Sequence, residues 1–157
     1  MPTLDQIIHE ATETYLGNLT PGSKPVKDIK TELSKAVLDQ VEVVNAVRPK
    51  GHKLHMPSNL TLYQIARIIL HTRPIISVAC AGEGMDPDYD MLAIYQDSGP
   101  DEGLYVTDEN AIRRLIREYN HGITMKETEE VCQILKQYAE HRSRNSDRDL
   151  IAVNTYT

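Results

Sequence analysis

His52 and His55 stand three apart in the run Gly51-His52-Lys53-Leu54-His55. Two imidazoles at that spacing can share a zinc or copper ion when further ligands converge on them. No third or fourth ligand lies close by in the sequence, so the pair reads as solvated loop histidines and no metal is expected. Glu83, Asp86, Asp88 and Asp90 gather in one short stretch. Alternating acids suit calcium loops, where hard oxygen ligands surround one cation. Here no Gly follows the third acid and no Glu closes the loop at the right distance, so a solvated acidic loop is expected.

The nucleophiles are equally bare of helpers. Cys80 and Cys132 each lie in an apolar run with no nearby His and no preceding helix start to lower a thiol pKa. They read as small buried hydrophobes in a reducing compartment. Gly82 and Gly84 form the one suggestive glycine pair, and no Lys-Ser or Lys-Thr follows to make a phosphate-binding loop. No Ser sits in a nucleophile elbow, and no spacing singles out a catalytic carboxylate pair. The expectation is a chain with no catalytic residue, no cofactor and no metal, and hence not an enzyme.

The cations carry the remaining chemistry. Arg113 and Arg117 share one flank of a helical stretch, and Arg142, Arg144 and Arg148 follow the last helix. Together these five can form a strip that contacts phosphates. The competing reading is a salt-bridged surface, because Glu109 precedes Arg113 by four residues and Glu118 follows Arg114 by four. The formal net charge of −6 excludes a coat that binds nucleic acid by charge alone and leaves room only for a local patch. Phe and Trp are absent, so Tyr supplies every aromatic ring. That gives no broad stacking platform of the kind single-strand-binding proteins use.

The elements that must position these residues are legible in the periodicity. With 157 residues the chain is about one domain long. Leu4, Ile7, Ile8, Ala11, Tyr15 and Leu19 recur at helical spacing and predict a helix over 4–19. A second helix is expected from Pro25 to Val47, with Ile29, Leu33 and Val37 on its apolar face and β-branched residues weakening its end. Residues 1–51 thus form a helical N-terminal segment, and the polar run 52–59 is the best internal boundary. Thr61 and Gln64 have capping-box spacing and open a helix that Pro74 breaks. Residues 75–80 have strand character, and 91–96 with 104–106 predict a hairpin. Thr107-Asp108 caps a helix carrying Ile112, Leu115, Ile116 and Tyr119. Asn120-His121-Gly122 suggests a left-handed exit. Thr124 and Glu127 form another capping box, opening a helix with Thr128, Val131, Cys132, Leu135 and Tyr138 on one face. The short connector predicts an αα-hairpin. A charged linker over 142–149 and a final strand over 150–153 complete the chain. The fold class expected is α+β: a small antiparallel sheet packed on an αα-hairpin, with a helical N-terminal part and an α+β domain over 60–157.

Residues 1–6 lack the opening of a signal peptide, and the apolar run 75–81 is too short to span a bilayer. A cytoplasmic, membrane-free protein is expected.

The stretch from Leu60 to Val153 resembles the region just upstream of the motor in phage, plasmid and poxvirus-type primase-helicases of helicase superfamily 3. The hairpin Met91-Leu92-Ala93-Ile94-Tyr95 with Gly103-Leu104-Tyr105-Val106 carries the likeness, as do the helix Ile112-Arg113-Arg114-Leu115-Ile116-Arg117-Glu118-Tyr119, the helix Glu130-Val131-Cys132-Gln133-Ile134-Leu135 and the closing Leu150-Ile151-Ala152-Val153-Asn154. It covers roughly the last three-fifths of the chain as a pattern, not as a hard motif. In that family Asn-Gly and an aromatic strand follow, where this chain has Thr155-Tyr156-Thr157. The motor's phosphate-binding loop and arginine finger belong downstream, so no ATPase residue carries over. The resemblance implies a non-catalytic replication domain of a phage or mobile element, working in a bacterial cell. It would assist a helicase motor in assembly or in gripping DNA, with homo-oligomers as a further expectation. The reading from another class is a small phage-encoded inhibitor or adaptor that binds a host protein through its acidic loop.

Overall fold

The computed structural model describes residues 2–78, 91–142 and 151–152. Five helices and a small mixed sheet make up the described residues, an α+β architecture with a helical N-terminal part. Helix α1 (Leu4–Gly17) opens on a capping box in which Thr3 and Gln6 satisfy each other's backbone amides. Helix α2 (Val26–Asn45) starts after Pro25 and buries Ile29, Leu33, Val37 and Val41, one residue per turn. Both helices end short of the expected Leu19 and Val47. Asn18 and Ala46 close them, and Leu19 is buried just beyond the first.

Helix α3 (Leu62–Thr72) opens on the expected Thr61–Gln64 capping box. Its buried face is Gln64, Ile65, Ala66, Ile68 and Ile69, while Leu62 and Leu70 are only half-buried. Arg73 is extended, as a residue before proline prefers, and the chain turns directly into β1 (Ile75–Val78). Strand β2 (Met91–Tyr95) runs antiparallel to β1, with Ile75 opposite Ile94 and Val78 opposite Met91. Strand β3 (Tyr105–Val106) returns antiparallel to β2. Gln96 and Gly103 close that hairpin, the Gly103 amide donating to the Gln96 carbonyl at 2.8 Å. Gly99 and Gly103 take φ of 87° and 86°, backbone that side chains with a Cβ rarely adopt.

Helix α4 (Glu109–Tyr119) is capped by Asp108, whose carboxylate accepts from the Ala111 amide. The predicted left-handed exit is absent. Asn120 is extended, and its side-chain oxygen accepts from the Gly122 amide at 3.0 Å, an Asx turn that redirects the chain towards the next helix. Helix α5 (Met125–Tyr138) opens on the Thr124–Glu127 capping box.

One correction concerns the sheet. The sheet is mixed, not antiparallel: strand β4 (Glu140–Arg142) lies parallel to β1, and β5 (Ile151–Ala152) lies parallel to β3. The strand order is β4-β1-β2-β3-β5. Sequence reasoning placed the start of a charged linker at Arg142. Instead, Glu140-His141-Arg142 extends the sheet, because backbone pairing to β1 needs no apolar side chains. The sheet itself rests on α4 and α5, as expected, since these are the helices packed on β1 and β2. Helix α5 packs most extensively against α3, and α4 is shared among α2, α3, α5 and β2.

One buried cluster runs through the helical part and the sheet's inner face. It takes in Ile7, Ile8, Leu33, Val37, Ile65, Ile69, Leu92, Ile112, Ile116, Val131 and Leu135. Ile76, Val78 and Ala93 form a second, smaller cluster on the opposite face, with Tyr105 against it. That split follows from the two-residue period of a strand. Leu115, expected in the core, is half-buried beside the main cluster.

Candidate nucleic-acid interface

The predicted arginine strip does not assemble as a set of free cations. Arg113 is half-buried on the side of α4 that faces α5. It pairs with Glu129 of α5 and lies 3.9 Å from Glu109 one turn earlier. The hydrogen bond to Glu129 leads the causes that push its pKa up, so the charge is fixed and spent between two carboxylates. Arg113 is therefore a strut between two helices. Arg117 is exposed in the last turn of α4, where a cation complements the helix dipole. Arg114 is exposed as well, and neither makes an ion pair with a described residue. Arg142 ends β4 opposite Val78, and Arg144 and Arg148 lie outside the described residues.

The other singled-out residues divide in the same way. His52 and His55 are exposed on the connector between α2 and α3. Among the described residues no three or more His, Cys, Asp or Glu side chains gather in a way that could hold a metal ion. Glu83, Asp86, Asp88 and Asp90 lie outside the described residues, as do Gly82, Gly84 and Cys80. Cys132 is buried on α5, and burial pushes its thiol up to about 11, which keeps it an unreactive thiol. No described helix is long and apolar enough to cross a membrane.

The most perturbed titratable group belongs to a clasp between α1 and α3. Arg67 grips both oxygens of Glu13 at 2.8 and 3.1 Å, and the Tyr63 hydroxyl donates to the same carboxylate at 2.6 Å. The Arg67 hydrogen bond is the largest influence on Glu13 and holds its carboxyl at about 2. Burial and the Glu13 contact push the Tyr63 hydroxyl well above its usual range. Arg67 also lies 5.3 Å from the centroid of the Tyr138 ring of α5. Both oxygens of the Glu13 carboxylate are engaged by neighbours in the fold, so the role of this group is to hold three helices together. A second tie repeats the logic: the Tyr15 hydroxyl donates to Glu32 of α2, to which Lys24 also binds at 2.8 Å. Burial, then Glu32, raises Tyr15 to about 12.

Sequence reasoning missed a pair of grooves at the junction of the helical part and the sheet. One, of about 540 Å³, lies between the 20–25 turn, the α3 end at Arg73 and Pro74, the end of β2 at Tyr95, and Tyr119. The other, of about 680 Å³, lies between the start of α2 and the end of α4, lined by Lys27, Lys30, Glu118 and His121. Pro25 and Val26 line both, so the grooves adjoin. Lys27 and Lys30 recur three apart at the head of α2, a spacing that puts both on one helix face. That spacing was visible in the sequence, but nothing in it tied α2 to α4 or to Arg73.

No family model matches the sequence, and no curated protein matches it.

Proposed function

We propose that the chain is a non-catalytic, replication-associated domain of a phage or mobile element that helps a helicase motor hold DNA. The resemblance of residues 60–153 to the segment preceding such a motor supports this reading. The observation that carries it is the outer side of α4, where Arg114 and Arg117 project their charges without an acidic partner among the described residues. The inner side of the same helix is spent on Ile112, Ile116 and Tyr119 in the core and on the Arg113 strut. Such a surface contacts the phosphate backbone and reads no bases, because no paired amide side chains flank it. Assembly with the motor is the second role this reading allows, and it uses the same surface.

The test is fluorescence anisotropy with labelled single- and double-stranded DNA at low salt. Affinity in the micromolar-or-weaker range typical of nonspecific contact, on the order of 10⁻⁶–10⁻⁴ M, is expected, falling as salt rises. Arg114→Glu with Arg117→Glu weakens it and leaves the fold intact, since exposed positions tolerate substitution. Wild-type protein without affinity for either DNA form would overturn the DNA-holding role.

A further inference from the structure

We propose that the open side of the α1–α2 pair is a docking groove for an amphipathic helix of a partner protein, one that carries lysine or arginine beside an apolar stripe. No residue of α4 lines this groove, so the inference stands apart from the DNA-holding reading. The groove, of about 360 Å³, runs between the two helices. Ile7, Ala11, Ala36 and Val44 form its buried and half-buried floor, and Glu10, Thr14 and Gln40 form its exposed rim. Alanine at 11 and 36 leaves space between the helices that larger side chains would fill. The apolar surface continues beside it. Val43 and Val47 are 66% and 70% exposed. Ala36, Gln40, Val43 and Val47 follow one another at four-three-four spacing, the seam spacing of packed helices. The core already holds the other apolar face of α2, which is Ile29, Leu33, Val37 and Val41. The outer stripe is therefore a second face, and no described element covers its two valines. A groove between two helices is the surface into which the side-chain ridges of a third helix pack.

Charge selects the occupant. Glu10 is the one charged residue in the described lining, and it pairs with no described residue. Helix α1 carries Asp5, Glu10 and Glu13 and no lysine or arginine. The nearby cations are engaged: Lys35 pairs with Asp39, and Arg48 donates to the carbonyls of Pro2 and His52. Such a rim repels nucleic acid and an anionic membrane and draws a cationic helix. A second copy of this chain offers α4 as its basic helix, but Ile112, Ile116 and Tyr119 of α4 are held in the core. The apolar stripe that would fill the groove must come from another protein.

The experiment titrates the full chain, by calorimetry at physiological salt, with two synthetic helical peptides of about 20 residues. Both carry the same leucine-alanine stripe, flanked by lysines in one and by glutamates in the other. The lysine peptide binds and the glutamate peptide does not. Glu10→Lys weakens the first about fivefold and lets the second bind. Val43→Asp with Val47→Asp weakens the lysine peptide at least about tenfold, because it removes apolar surface from the contact. Glu130→Lys changes an exposed acid of α5 and leaves the affinity as it was, which separates the groove from general attraction between a cationic peptide and an acidic chain. Urea midpoints of all variants are measured alongside, so that lost binding is separated from lost fold. Equal binding of both peptides, or of neither, would overturn the proposal. So would equal losses in the Glu10 and Glu130 variants. Sedimentation of the chain alone closes the series: a dimer that the Val43/Val47 double variant dissociates would give the groove to a second copy and overturn the proposed partner.

Discussion

Gln64 uses both ends of its amide. Its oxygen accepts from the Thr61 backbone at 2.9 Å, and its nitrogen donates to the Thr12 hydroxyl of α1 at 3.2 Å. Gln64 and Thr12 are 3% and 0% exposed, so neither can turn to water. Gln64→Ala should cost about 1–3 kcal/mol in a denaturant melt, because it strands the Thr12 hydroxyl and removes half of a cap. A cost below a few tenths would show that the pair is not a working contact. The Glu13 clasp makes a pH prediction. Its carboxyl sits at about 2 in the folded chain against an ordinary 4.5. A folded value below the unfolded one means stabilisation that is fully present above about pH 5 and lost as pH falls towards about 2. Arg67→Ala should remove about 1–2 kcal/mol at neutral pH, a modest figure because the pair is partly open to water. The same variant should flatten the pH dependence of stability in that acid window, measured by urea unfolding at a series of pH values. Neither contact was legible in the sequence. The Glu13–Arg67 and Thr12–Gln64 partners lie more than fifty residues apart, and only the capping half of Gln64's role has a local signature.

At the scale of the element, local chemistry was readable and partnership was not. Three capping boxes fix the starts of α1, α3 and α5. Two of them were evident from Thr61 and Thr124, and the Thr3–Gln6 box had the same spacing and went unread. Periodicity also found the faces of α4 and α5, since Ile112, Ile116, Val131 and Leu135 are all fully buried. It joined those helices to each other correctly but did not show that α5 packs still more on α3. A short connector makes two helices neighbours in sequence order, yet the wider apolar face of α3 is what α5 covers. The difference is measurable. Leu135→Ala, at a fully buried site, should destabilise by about 2–5 kcal/mol, and Leu115→Ala, half-buried, by clearly less. Equal losses in a urea melt would return Leu115 to the core. Arg113 teaches the same lesson for the candidate site: Glu109 at four residues' distance was visible, but the stronger partner, Glu129, belongs to another helix.

At the scale of the whole molecule, one buried cluster joins α1 and α2 to α3, α4, α5 and the inner face of the sheet. The polar connector at 52–59 looked like a boundary because it lacks periodicity. It is tied back to α2 by Asn45, which holds both the amide and the carbonyl of Leu54. A shared core predicts one cooperative transition, with far-ultraviolet circular dichroism and tyrosine absorbance tracing the same urea curve. Two separated transitions would mean that the helical part folds by itself.

Strand β4 has a consequence for how the chain comes into being. It pairs with β1, placing Glu140 beside Ile76 and Arg142 beside Val78, although β2, β3, α4 and α5 all intervene in the sequence. On the ribosome, β1 therefore emerges with one flank unclaimed and keeps it so while everything up to Tyr138 is made. An unclaimed strand flank is a template for a neighbouring nascent chain, and Ile75-Ile76-Ser77-Val78 is apolar enough to be used as one. The strand that finally occupies it is Glu140-His141-Arg142, charged at both ends and poorly suited to recruit a further strand beyond it. The late arrival seals this edge of the sheet, so a message cut short just after the codon for Tyr138 should yield insoluble protein even though every described helix is present.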